Sequence, residues 1–226
     1  MTVFDEYTFK IEIVNKLRNA DILSTTVRGV TTTTDNFVAT ASQTVFTLSN
    51  TLVKNIRSLT VAGVAKTYLF DYTVVWNTGV ITLSTGATLS DAVVVNYDYG
   101  SSDKIYPDWP RDDLALDSYP RVSVMKTSTR TDVLGLGATS YMTDVIWSIF
   151  VFVPYKKVSD IAGGFGGIED AMNLQKSIRQ VVFNNDTSMY TIPYIKPNSI
   201  NTANIQYSDK ILVISQDCDG KFVLES

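Results

Sequence analysis

The sequence predicts an α+β fold, in the order helix, strands, helix and strand, interrupted by an inserted all-β sandwich. Three observations lead there. Apolar stripes at helical spacing occur in two places, Met1 to about Leu23 and Ile168–Phe183. From Thr31 to about Gly100 that periodicity vanishes, and short alternating segments follow one another with turn signals between them. Beyond a proline-rich connector, longer apolar runs return.

In the first segment Phe4, Tyr7, Ile11, Val14 and Leu17 form one stripe. Phe9, Ile11 and Ile13 also alternate, so a strand competes. The helix is preferred because its stripe lasts longer and Asn15, Lys16, Arg18 and Asn19 follow without β-branching. After Thr31–Thr34, strands are expected at Val45–Leu48 within Phe37–Leu48, at Ile56–Val61, at Asp71–Val75 and at Val80–Leu83. Another is expected at Ala92–Tyr99, which places Val93, Val95, Tyr97 and Tyr99 on one side. Asn77-Thr78-Gly79 and Thr85-Gly86 separate neighbouring strands. About six strands at short, regular spacing describe a small sandwich or barrel.

Gly100 to Pro120 reads as a connector, with Pro107, Pro110 and Pro120 among turn-forming aspartates. Arg121–Arg130 is expected as a strand with Val122 and Val124 inward, and Leu134–Gly137 as a mobile tip. Thr143–Pro154 is apolar on both faces, so it needs cover on both sides, from its own domain or a neighbouring subunit. In the second helix Glu169 and Asp170 occupy the first turn, where the dipole favours them. Its expected stripe is Ile168, Ala171 or Met172, Leu174 or Gln175, Ile178, Val181 and Val182. Lys210–Ser215 is the last core strand, and Asp219-Gly220 is a turn signal that would fold Lys221–Leu224 back as a hairpin. The expected division is a core of residues 1–31 and 103–226, with residues 32–102 as the inserted β domain.

Composition narrows function. The chain has 226 residues, no histidine and one cysteine. A Ser-His-Asp or Cys-His arrangement needs an imidazole, and a Cys/His zinc site needs several such ligands. A net charge of −4 argues against wrapping nucleic acid by neutralising phosphates. No basic, then apolar, leader begins the chain, and Val145–Pro154 is about half the length of a membrane span. A soluble protein without cofactor or metal, and not an enzyme, is expected.

Local motifs do not change this. Gly163-Gly164-Phe165-Gly166-Gly167 precedes a helix, but lacks the Gly-Lys-Ser/Thr ending of a phosphate loop and is followed by two acids. Asp217-Cys218-Asp219-Gly220 opens like a calcium loop without its later ligands. Asp112-Asp113 is a carboxylate pair in a solvated connector, where a hydrolase reading ranks well below the others. Asn185-Asp186-Thr187 matches a glycosylation sequon without a secretory signal. Tyr68, Tyr72, Tyr97 and Tyr99 suggest core packing first, and an interface or sugar platform second.

Two stretches carry a resemblance. The first is Phe46-Thr47-Leu48, Ser58–Val64, Asp71–Val74, Gly79–Leu83 and Asp91–Tyr97. It is similar to a β-module recurrent in phage tail, fibre and baseplate proteins. The flanking part is an initial helix, a strand opening at Tyr119–Val124, a long hairpin, a helix and a last strand. In layout it resembles tail terminator, or tail-completion, proteins of tailed viruses. Those are usually shorter, and the insert is a departure. The resemblance implies a virion structural protein at the head–tail neck, synthesised in the host cytoplasm. It would form a homo-oligomeric ring, six-fold in that family, that ends the tail tube and joins it to head connector or stopper proteins. Genomic DNA would pass through the lumen without specific binding, and no membrane is involved. Leu134, Leu136, Tyr141, Trp147, Phe150 and Phe152 are the expected interface residues. The alternative is a tail accessory, adhesion or baseplate protein whose β domain binds a host receptor or glycan.

Overall fold

A computed structural model describes residues 6–107, 119–133, 140–155, 166–183, 195–197, 205–208 and 211–225. The fold is mixed α+β and divides into two compact units. One comprises Met1–Leu23 and Lys104–Ser226, and the other is the continuous stretch Ser24–Asp103. The boundary lies at Ser24, ahead of the expected start at residue 32, because a short helix, α2 (Thr25–Arg28), belongs to the second unit. Ser24 caps it, accepting the Val27 N–H at 3.3 Å, and Gly29 ends it in the left-handed conformation.

The Ser24–Asp103 unit holds β1 (Thr31–Val38), β2 (Gln43–Thr47), β3 (Val53–Val61), β4 (Val64–Ala65), β5 (Tyr72–Val75), β6 (Val80–Ala87) and β7 (Ala92–Tyr99). They form a four-stranded sheet, β1-β7-β3-β4, and a three-stranded sheet, β2-β6-β5. Side chains from both sheets share one core, including Phe46, Leu59, Tyr72, Ile81, Val93, Val95 and Tyr97. In β3 a register shift between Ile56 and Ser58 lets Ile56 and Leu59 both turn inward, which strict alternation would forbid. Gly79 closes the β5–β6 turn at φ +72°, and a Cβ there would stand 2.6 Å from the Asn50 carbonyl oxygen. Thr31–Val38 is a full strand that the sequence reading did not resolve, because its threonines show no apolar alternation.

The other unit starts with α1 (Glu6–Asn19), which buries Ile13, Val14 and Leu17. Its sheet has β8 (Ile105–Tyr106), β9 (Arg121–Val133), β10 (Ser140–Pro154), β11 (Ile195–Pro197), β12 (Ile205–Ser208) and β13 (Ile211–Glu225). The order is β11-β13-β10-β9-β8, with β12 also on β13. Helix α3 (Gly167–Phe183) packs on β10, β11 and β13, α1 packs on β8 and β9, and the two helices touch. Arg18, buried at the end of α1, donates to the Ile105 carbonyl at 2.9 Å and ties α1 to β8.

The register places Trp147, Ile149, Val151 and Val153 with Val122, Val124, Leu212, Ile214 and Cys218 on one buried face. On the other face Phe150 and Phe152 cluster with Tyr119, Ile211 and Val213. From Trp147 to Pro154 the doubly apolar strand is therefore covered on both sides within one chain, apart from half-buried Phe150.

Two expectations are corrected. Asp219-Gly220 makes no hairpin: β13 runs straight through it, with Ile146 opposite Asp219 and Val145 opposite Gly220. The 15-residue β10 offers an unbroken partner edge, and that ladder outweighs the local turn preference. In α3 the buried stripe is Ala171, Leu174, Gln175, Ile178 and Val182, while Ile168 and Met172 are exposed. Leu134–Gly137 lies outside the described residues. Among the described residues no helix is long and apolar enough to cross a membrane.

Candidate functional site

Of the expected interface residues, Trp147 and Phe152 lie in the interior, at 1% and 0% exposure, and Phe150 is half-buried. Tyr141 stands on β10 opposite Val133 and Leu224. Leu134 and Leu136 lie outside the described residues. Side chains as buried as Trp147 and Phe152 give a neighbouring molecule no surface. What the β9–β10 hairpin presents instead is backbone. On the outer side of β9, among the described residues, only Ile105 and Tyr106 pair, at Val122 and Ser123. The remainder of that long edge, to Val133, carries no strand partner among the described residues.

The tyrosines do not form one platform. Tyr72 and Tyr68 meet at 5.7 Å between ring centroids, with Trp76 edge-on to Tyr68 at 5.6 Å. Tyr97 and Tyr99 meet at 6.0 Å on β7, in the other sheet. Tyr72 and Tyr97 are core residues, and burial raises both phenols above their ordinary range. The Tyr97 hydroxyl donates to Asp35 Oδ2 at 3.0 Å and accepts from Asn50 Nδ2 at 3.0 Å. That is a satisfied core hydroxyl.

The strongest electrostatic feature is a buried cluster in the Ser24–Asp103 unit. Arg28 lies fully buried, with Nη1 3.0 Å from Asp98 Oδ2 and Nε 3.1 Å from Asp103 Oδ1. Its Nη2 reaches Asp103 Oδ2 at 3.3 Å, so this pair is bidentate. Arg57 Nε and the Thr32 hydroxyl both donate to Asp98 Oδ1, at 2.7 and 2.6 Å. Burial pushes the Asp98 carboxyl upward, but the Arg57, Thr32 and Arg28 contacts outweigh it and hold it below its ordinary value. Two cations balance two anions, and each of the four carboxylate oxygens accepts from a donor of this unit. The cluster joins the residues where the unit's chain enters to those where it leaves. Sequence reading missed it because Arg28 and its partners are some seventy positions apart, and nothing local marks them as a pair.

Other candidates resolve individually. The Asp170 carboxylate accepts the Gly166 N–H at 2.8 Å, so the start of α3 already holds an anion of its own. Asp217 accepts the Ser148 hydroxyl at 2.6 Å across the β10–β13 ladder. No group of three or more His, Cys, Asp or Glu side chains converges among the described residues. Asp112-Asp113 and Asn185–Thr187 lie outside them. An open cleft of about 680 Å³ lies between the C-terminal turn of α1 and the later turns of α3, lined by Lys16, Asn19, Asp21, Ser177 and Gln180. Burial lowers the Lys16 ammonium, with Glu12 opposing that shift. Compared with known proteins, the chain matches no family model and no curated protein.

Proposed function

We propose that the protein is a structural subunit of a tailed-virus particle: a tail-terminator-like ring that ends the tail tube and meets the head connector. In this reading the ring is a hexamer, DNA passes through its lumen, and the Ser24–Asp103 unit is an inserted β-sandwich. The observation that carries it is the long β9–β10–β13 ladder with the outer edge of β9 open beyond Ser123 among the described residues. Such an edge joins identical subunits by backbone hydrogen bonds, strand to strand, with no catalytic chemistry. It also moves the expected interface from the side chains of Trp147 and Phe152 to the backbone of β9. The test is addition of the full chain to bare tail tubes, followed by electron microscopy. Ring-shaped density on one end of each tube supports the proposal, and binding along the tube wall or none overturns it.

A second reading is a tail accessory or baseplate protein whose β unit binds a host surface. It is favoured by exposed apolar side chains on strand ends and connections remote in sequence register from Ser24 and Asp103: Val38, Val64, Leu69, Phe70 and Leu89. Saturable adsorption of the full chain to host cells, lost on Phe70→Ser with Leu89→Ser, would favour this reading over the ring.

A further inference from the structure

The cleft between α1 and α3 has no part in the proposed ring. It lies at the C-terminal turn of α1 and the later turns of α3, and its volume of about 680 Å³ falls in the range of small-molecule pockets. Lys16, Asn19, Asp21, Ser177 and Gln180 give it a polar lining. Ile22 and Val181, both half-buried, add apolar wall.

Three features of that lining select a ligand. The first is charge. One ammonium, Lys16, and one carboxylate, Asp21, line the cleft, so it offers an anion no net attraction. Both helices also bring their C-terminal ends to it, where partly negative carbonyls disfavour anions. The second is hydrogen bonding. The Asn19 and Gln180 carboxamides carry donors and acceptors alike. The Ser177 hydroxyl donates to the Asn173 carbonyl at 3.1 Å, which leaves its oxygen able to accept. Such a lining suits hydroxyl groups. The third is the state of Lys16. Burial lowers its ammonium below the ordinary lysine range, and Glu12, one turn back on α1, opposes this without cancelling it. A half-buried amine at an open cleft is a nucleophile.

We infer that this cleft binds a small, uncharged, hydroxylated aldehyde, and that Lys16 Nζ holds it as an imine. The amine nitrogen adds to the aldehyde carbon and a C–N bond forms. The carbonyl oxygen then leaves as water, taking the two amine protons, so no oxidant or further reactant is needed. Asn19, Ser177 and Gln180 bind the hydroxyl groups. All of these residues belong to α1 and α3, within one unit. The site therefore stands or falls independently of the ring and of the Ser24–Asp103 unit.

The test uses the full chain, glyceraldehyde and a hydride reagent that reduces imines to stable secondary amines, with peptide mass spectrometry as the readout. At neutral pH Lys16 should label several-fold faster than Lys176, which is exposed on α3. Its rate should level off with glyceraldehyde concentration, while that of Lys176 stays proportional. Propionaldehyde, of the same length without hydroxyls, should react at Lys16 in simple proportion. Ser177→Ala with Gln180→Leu should remove the levelling while circular dichroism stays unchanged. Glu12→Gln, which removes the group that opposes the effect of burial, should speed labelling of Lys16. Labelling of Lys16 no faster than Lys176, or strictly proportional to glyceraldehyde, overturns the inference. So does a levelling that propionaldehyde shares or that survives the double variant, or a Glu12→Gln chain that labels more slowly.

Discussion

The two units solve the same burial problem with strands of different length. In Ser24–Asp103 the strands run from two to nine residues, bend at register shifts and enclose one shared core. Its buried charges are neutralised internally by Arg28, Arg57, Asp98 and Asp103. In the other unit, strands of 13 and 15 residues make one extended ladder that two helices help to cover. A short-strand unit can satisfy its core by itself. A long ladder leaves long edges, and a long edge is where another chain joins. On the proposed function, the first unit folds by itself and the second carries assembly.

The sharpest way to break this comparison is to unbalance the charge cluster. Arg28→Ala leaves Asp98 and Asp103 buried without their central cation and should cost about 3–5 kcal/mol. In urea denaturation monitored by circular dichroism, that loss should appear in one of two transitions only; a shift of both would show that the units do not unfold separately. Core truncations assign the transitions. Ile81→Ala and Ile149→Ala, each at a fully buried site, should each cost about 2–5 kcal/mol, in different transitions.

Acid offers a third test. The folded Asp98 carboxyl is held below its ordinary value, so its contribution is present above the unfolded carboxylate range near pH 4. It is lost as pH falls through the lower, folded value. Stability of the Ser24–Asp103 transition should therefore decline below about pH 4. Arg57→Met, which removes a hydrogen bond to Asp98, should start the decline at higher pH. The smallest expected effect is Tyr97→Phe, about 1 kcal/mol from one buried hydroxyl network, confined to the same transition.

Much of this architecture was legible in the sequence where apolar periodicity is strong. Val93, Val95 and Tyr97, or Val122 and Val124, announce their inward faces by simple alternation. Legibility failed where distant partners decide the outcome. The threonines of β1 become a strand because β7 supplies a ladder, and Asp219-Gly220 stays extended because β10 lies alongside. Ile168 fits the helical stripe yet is exposed, since the buried arc of α3 starts at Ala171. Arg28 with Asp98 and Asp103 was invisible, because the pairing arises only when both ends of an eighty-residue unit meet. For the proposed assembly site, the sequence pointed to the 121–153 hairpin but to its large side chains. In the fold Trp147 and Phe152 are interior, and the outer edge of β9 beyond Ser123 has no strand partner among the described residues.

The central claim is that the long ladder builds a closed ring while the short-stranded unit folds by itself. The most direct measurement is electron-microscopic class averaging of the full chain beside a variant in which a short linker replaces Ser24–Asp103. Closed six-fold rings from both proteins are the predicted result. Three-fold assemblies, or rings that vanish with the deletion, would contradict it.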